Sequence, residues 1–214
     1  MRLYTTFKYI WPPRPEVVAP AEHIETLDKG THIAQPKFNG SCAILATNGK
    51  DLFFMNRHKQ NFKHKLLIDN KELLSLHRGK GWIYLVGEYM NKSQRGPDGK
   101  IFNGKFVIFD ILVYNNEWLI DTNIEGREKL LHTIYETTEA GALNEWMTKI
   151  STNCFVSRSF GENFDKIWNS ACNVGMLEGL VFKRKNGALT MGLSEKNNTG
   201  WQCKIRKPTL NYLY

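Results

Sequence analysis

Lys37 is the residue best placed to do covalent chemistry. It lies in Ala34-Gln-Pro-Lys-Phe-Asn-Gly-Ser41, between two short runs that both read as strands, Thr31–Ala34 and Cys42–Thr47. Gly40 suits a tight turn between them, because a residue without Cβ tolerates positive φ. Pro36 fixes the chain beside Lys37 and removes a backbone donor. A lysine held at such a corner becomes a nucleophile when burial or neighbouring cations lower its pKa. A lone Lys-x-x-Gly is more often a solvated hairpin, so the rest of the chain must decide.

Three acids could complete a site. Glu88 follows Gly87 at the end of the apolar run WIYLVGEYM, Asp110 sits inside KFVIFDILVY, and Glu178 opens EGLVFKRK. An acid in an apolar strand needs a partner or a task. Acids converging on one cleft suit a metal ion or ribose hydroxyls. Cations complement them. Lys183, Lys204, Arg206 and Lys207 stand in the last strands and would line a phosphate path. Arg57, Lys59, Lys63 and Lys65 surround Phe62 in a nine-residue run that could track a polyanion backbone, or could be a solvated loop.

The 214 residues carry 29 Lys and Arg against 21 Asp and Glu, a formal net charge of +8 that favours a polyanionic partner. A 42% hydrophobic content in a chain of this length suffices for one large domain with a core of its own. The four cysteines have no Cys-x-x-Cys spacing, which argues against structural zinc and a disulfide framework and suits a reducing, cytoplasmic compartment. No apolar run is long enough to span a bilayer, and the N-terminus lacks a signal-peptide core.

The elements that must position these residues follow from pattern. Trp11–Pro15 reads as a stiff extended loop and Glu16–Gly30 as loop plus a short helix. Strands are expected at Asp51–Arg57, Trp82–Met90, Lys105–Tyr114, Cys154–Phe160, Gly179–Lys185, Ala188–Leu193 and Trp201–Lys207. Helices are expected at Lys71–Leu76, at Thr122–Thr138 with Gly141 as its stop, and at Asn163–Val174 with Asn163 as its N-cap. Strands and helices intermix without regular alternation, which predicts an α+β domain of mostly antiparallel sheets flanked by helices.

Taken in order, PKFNG (Lys37), MNRHK (Arg57), GEY (Glu88), FVIFDIL (Phe109 and Asp110), EGLVFK (Glu178 and Lys183) and WQCKIRK (Lys204 and Arg206) resemble the successive motifs of the covalent nucleotidyltransferases. These are the ATP-dependent DNA ligases, RNA ligases and mRNA capping enzymes. The similarity runs from about Ile33 to Lys207. Each motif is weak alone, and six in order are specific. The resemblance implies that Lys37 attacks the α-phosphate of ATP and carries AMP, that Glu88 holds the ribose, and that Phe109 stacks on the adenine. It implies that Gln35 reads the adenine amino group and that Glu178 binds magnesium or manganese. Lys183 belongs to the ATP site, with Lys204 and Arg206 at the phosphates, and Arg57 meets a 5′-phosphate or ribose.

The implied activity is ATP-dependent sealing of nicks in duplex DNA. EGLVFK, FDIL followed by a helix with Arg127, and a tryptophan-led last motif favour DNA. An RNA ligase is the alternative, a capping guanylyltransferase is less favoured, and a nucleic-acid-binding domain with decayed catalysis is the reading from another class. The sequence departs from the DNA ligase pattern, with Asn39 in place of an aspartate two after the lysine and Cys42 in place of an arginine five after it. The family's DNA ligases and capping enzymes carry an OB-fold after the last motif. This sequence has seven residues after Lys207, so residues 1–214 are expected to form one nucleotidyltransferase domain: a minimal ligase gripping its substrate with its own basic surface, a fragment, or a domain whose clamp domain or protein acts in trans.

Overall fold

A computed structural model describes residues 13–58, 60–62, 66–137, 142–190 and 198–208. The chain runs β1 (Arg14–Val18), α1 (Ile24–Leu27), β2 (His32–Phe38), β3 (Ser41–Thr47), β4 (Leu52–Asn56), α2 (Asn70–Leu74), β5 (Ile83–Met90), β6 (Gln94–Arg95), β7 (Ile101–Phe102), β8 (Lys105–Tyr114) and β9 (Glu117–Trp118). It continues with α3 (Ile124–Ile134), β10 (Ala142–Asn144), β11 (Met147–Lys149), β12 (Cys154–Ser157), α4 (Phe164–Cys172), β13 (Leu177–Arg184) and β14 (Asn198–Arg206). The α+β architecture agrees with the sequence expectation.

Two sheets carry the fold. One has the order β1-β14-β13-β2, and the other β10-β11-β12-β8-β5-β3-β4, with β9 alongside β8. Pairing is antiparallel except for β1 with β14 and β12 with β8. Among the described residues no helix is long and apolar enough to cross a membrane.

The strands form where β-branched and aromatic residues alternate, and their two faces divide the labour. In β2, Ala34 and Phe38 point into a core shared with Leu180 and Phe182 of β13, Ile205 of β14 and Phe164 of α4. A second core packs Leu45, Leu85, Phe106, Ile108 and Ile111 of the large sheet against Leu73 of α2 and Leu131 of α3. A third lies on the opposite face of that sheet, around Ile44, Met55, Tyr84 and Val86. The helices are short, and two of them carry a side-chain N-cap. The Asp69 side chain accepts from the Lys71 backbone at 3.0 Å and that of Asn123 from Gly126 at 2.8 Å.

Five expectations need correcting. Lys37 does not stand at a corner between strands, because β2 continues through it to Phe38 and pairs it with Gly179 of β13. Trp11–Pro15 does not stay a loop, because from Arg14 the chain zips onto β14 as β1. Ala188–Leu193 is not a strand at its start, where Ala188 makes only an isolated bridge to Asn123, and its end lies outside the described residues, as does Gly141. Asn163 stands at the N-cap but in the left-handed region (φ 60°), with no side-chain cap bond. The carboxylate of Asp28 accepts from the Phe164 backbone at 2.9 Å instead. Gly40 has no positive φ. Its lack of a side chain matters because a Cβ there would run into the Tyr89 carbonyl oxygen.

Candidate active site

A cavity of about 620 Å³ opens between the two sheets. The small sheet contributes Gln35 to Phe38 of β2, and every second residue of β14: Gln202, Lys204 and Arg206. Ala34, Phe38 and Ile205 fill the core behind. On β14 the period of two thus separates chemistry from packing.

On β13 the phase slips once. Leu177, Leu180 and Phe182 face the core, while Glu178, Val181 and Lys183 face the cavity. A regular strand could not place residues 178 and 183 on one side. The register against β2 shifts between Leu177 and Gly179, and Gly179 takes φ +140°. A Cβ at Gly179 would meet the Ile205 carbonyl oxygen, so the bulge needs glycine. This slip turns Glu178 to the cavity, where it accepts a hydrogen bond from Lys37 Nζ. Arg206 Nε lies 3.9 Å from the same carboxylate oxygen.

The large sheet closes the cavity with a similar device. Against β5, the register of β8 shifts between Val86, opposite Asp110, and Gly87, opposite Ile108. Phe109 is the extra residue, and its ring faces the cavity beside Val86. Lys183 Nζ sits 5.4 Å from the centre of that ring. Lys183 is 4% exposed, and burial holds its pKa down although Asp110 and Glu128 oppose the shift.

Glu88 enters from β5 and accepts from the Gly40 backbone N–H at 3.0 Å. Burial pushes its pKa up to about 7, against the pull of Lys37. Gln35 donates its amide to Ser159 Oγ at 2.9 Å and to Glu128 Oε1 at 3.4 Å. Both donors are thereby used on the side away from the ligand space, and Oε1 is left to accept from whatever occupies the cavity. Glu128 is itself pushed up to about 7, by burial first.

Positive charge dominates the remaining wall. Burial lowers the pKa of Lys204, and Arg206, Lys37, Arg14 and Arg57 each lower it further. Two carboxylates, Glu88 and Glu178, line the cavity with these five cations. Such a site favours a polyanion with an aromatic or apolar portion that can lie against Phe109, Val86 and Val181.

Of the residues singled out from sequence, Gln35, Lys37, Arg57, Glu88, Phe109, Glu178, Lys183, Lys204 and Arg206 all line this cavity. Lys59, Lys63 and Lys65 lie outside the described residues. Asp110 does not reach the cavity. Its carboxylate takes a bidentate pair from Arg127 at 2.8 and 3.1 Å, so it has a partner in the core and not a task in the cavity. Lys207 also points elsewhere, donating to the Val174 carbonyl at 2.8 Å.

Arg14, Glu128 and Ser159 were not anticipated. Arg14 arrives by pairing with a strand far along the chain, which leaves no local signal. Glu128 sits within a helix whose periodicity reports only burial.

Residues 15–202 match the family model for the ATP dependent DNA ligase domain. The chain belongs to this family. The mycobacterial DNA ligase D complexed with ATP and MES is similar in fold, with 17% identity and a TM-score of 0.62 over 92% of this chain and 60% of that one. The ligase domain of M. tuberculosis LigD follows at 16% identity and 0.60, over 92% and 59%. The ATP-dependent DNA ligase of bacteriophage T7, in complex with ATP, reaches 14% and 0.52, over 94% and 69%. The chain therefore spans about three fifths of the length of the first two structures. No curated protein matches the sequence. As an ATP-dependent DNA ligase domain, the chain has its motifs on adjoining strands of two sheets, facing one another across a single cavity.

Proposed function

We propose that this domain carries out ATP-dependent polynucleotide ligation through a lysyl-AMP intermediate, with nicked duplex DNA as its substrate. The observation that supports this most is the meeting of Lys37 and Glu178 across β2 and β13, in a cavity that also gathers Gln35, Glu88, Phe109 and a wall of cations. The adenine would lie against Phe109, with its amino group donating to Gln35 Oε1. Ionised Glu88 would accept from the ribose hydroxyls. Lys204 and Arg206 would meet the phosphates.

In the first step the Lys37 amine attacks the α-phosphorus, an N–P bond forms, the bond to the pyrophosphate oxygen breaks, and the amine sheds a proton. In the second, a 5′-phosphate oxygen of the nick displaces Lys37 and takes the AMP. In the third, the 3′-hydroxyl attacks that activated phosphate and AMP leaves. The protein's part is alignment and charge neutralisation.

Glu178 suits a divalent cation such as magnesium, which commonly takes one protein carboxylate and completes its shell with water and substrate phosphates. When bound, the cation would offset charge on the reacting phosphates. Glu178 is held by Lys37 and Arg206, so its carboxylate is already oriented toward the reacting groups.

The test is incubation with labelled ATP or GTP, followed by nicked DNA or nicked RNA. Label from ATP should stay on the protein in a form that survives alkali and is released by acid, as a phosphoramidate is, and should pass to nicked DNA. Lys37→Ala should form no adduct, and Lys37→Arg should fail too, since a guanidinium stays protonated. A labelled band persisting in Lys37→Ala would remove Lys37 as nucleophile. Sealing of nicked RNA in preference to DNA would change the substrate.

A further inference from the structure

The strand β1 is a poor packing element. Val17 and Val18 are 51% and 41% exposed, and Pro15 cannot donate to a ladder. It is held by parallel pairing to β14, by the Ala19 N–H to the Lys204 carbonyl at 3.0 Å, and by Thr199 Oγ1 to the Arg14 carbonyl at 3.1 Å. What this arrangement achieves is the placement of Arg14, with Pro13 and Pro15 beside it on the cavity wall. Arg14 lines the cavity beside Arg57, which follows β4, and beside Cys42 of β3.

The surroundings of Arg14 are anomalous for a cation. Among the described residues it has no side-chain hydrogen bond and no carboxylate partner. Burial lowers its pKa, and Arg57 lowers it further. Arg57 donates Nε to His58 at 3.3 Å, which leaves its terminal nitrogens for other acceptors. Cys42 contributes no charge, because burial holds its thiol up at about 12. Two guanidiniums drawn together without an acid form a waiting anion site. Their planar forks match a phosphate, and an arriving dianion would relieve the repulsion between them.

We propose that Arg14 and Arg57 together bind a phosphate group of the substrate, with β1 acting as the strap that carries Arg14 into the site. Arg14 then supplies, from a different strand, positive charge beside the position where Cys42 stands. The proposal rests on the reading of this domain as a lysyl-AMP ligase. The phosphate belongs either to the tail of ATP or to the 5′ end at the nick, and the two are separable by step.

Arg14→Ala and Arg14→Lys should be compared with the wild-type chain in two assays: adenylylation against ATP concentration, and AMP transfer from pre-adenylylated protein against concentration of 5′-phosphorylated nick. Thermal unfolding monitors the fold. Loss of one charge-assisted contact should raise one KM by about tenfold or more, and Arg14→Lys should recover part of it. A raised KM for ATP assigns the site to the triphosphate. A raised KM for the nick assigns it to the 5′-phosphate, and the wild-type protein should then bind a 5′-hydroxyl nick, which cannot accept AMP, about as weakly as Arg14→Ala binds the phosphorylated one. If Arg14→Ala unfolds, Arg14→Lys alone carries the comparison, because a point charge cannot reproduce the fork and some rise should remain. Unchanged KM values in both assays overturn the proposal. A wild-type protein that forms no adduct overturns the ligase reading instead.

Discussion

Replacing Asp110 by alanine should be among the most damaging single changes in the molecule, although Asp110 touches no ligand space. Arg127 is 0% exposed and Asp110 5% exposed, and they share two hydrogen bonds at 2.8 and 3.1 Å. Arg127 also donates to the Thr122 carbonyl at 2.6 Å. Asp110→Ala strands a buried guanidinium with that one acceptor, at a loss of about 3–5 kcal/mol. For a chain of this size each kcal/mol lowers Tm by roughly 2–4 °C, so a fall of about 6–20 °C is expected. Arg127→Met should be milder, since Lys183 still faces the abandoned carboxylate. The double change, Asp110→Leu with Arg127→Met, should be far less harmful than the sum of its parts, because apolar replacement of both partners is often near neutral. The sign of the pH dependence follows from the carboxyl. Burial raises its pKa, but the Arg127 charge and hydrogen bonds more than reverse this and leave it below the ordinary carboxylate range. The stabilisation is therefore present at neutral pH and lost as pH falls through that depressed value, and the deficit of Asp110→Ala should shrink in acid. Thermal and urea unfolding of wild type, Asp110→Ala, Asp110→Leu, Arg127→Met and the double change measures all of this. An Asp110→Ala protein melting within two degrees of wild type, or a strictly additive cycle, would refute the reasoning.

Three further outcomes can be checked. Gly179→Ala should lower stability by about 1–3 kcal/mol through backbone strain and should also abolish adenylylation, since removing the bulge turns Glu178 toward the core; an adduct forming at the wild-type rate would show that the slip is dispensable. AMP binding should strengthen as pH rises through about 7, where the Glu88 carboxyl loses its proton and becomes a pure acceptor for ribose hydroxyls, and Glu88→Gln should flatten that limb even though Glu128 titrates in the same range. The raised Glu88 pKa carries the opposite sign for folding, because the charged form is disfavoured in the folded state and its penalty grows above the unfolded value. Glu128→Leu should release one amide donor of Gln35 and let the side chain turn, so the preference for ATP over GTP in adduct formation should fall by about tenfold, the value of one hydrogen bond; an unchanged preference would leave base selection to other groups.

The residues of the candidate site were legible because each motif lies on a strand that strongly signals itself. Lys37, Glu88, Phe109, Glu178, Lys204 and Arg206 all come to one cavity. Their orientation was harder to read. The odd spacing between Glu178 and Lys183 is a trace of the bulge, since alternation alone would send one of them into the core. Asp110 misled because an acid in an apolar strand looks the same whether its partner is a ligand or an arginine on the next helix. Arg14 was beyond reach, because its strand is created by pairing with residues about 185 positions away and not by its own prolines and valines. Glu128 and Ser159 act behind Gln35, and nothing in a helical or loop pattern marks a residue that holds another.

The small sheet is drawn from residues 14–38 and 177–206, while the large one is built from the stretch between them. Lys37 and Glu178 are 141 positions apart, and closing a loop of that length costs roughly 4–5 kcal/mol before any contact forms. During synthesis β2 must therefore wait, with Ile33, Ala34 and Phe38 unsheltered, until β13 has left the ribosome. The large sheet can fold meanwhile from contacts closer in sequence, and Lys37 meets Glu178 only at the end. A nascent or nicked chain would hold Lys37 as an ordinary exposed lysine. Reactivity toward ATP would then appear last in refolding, after the helices and the central sheet, which makes adduct formation a sensitive report of complete folding.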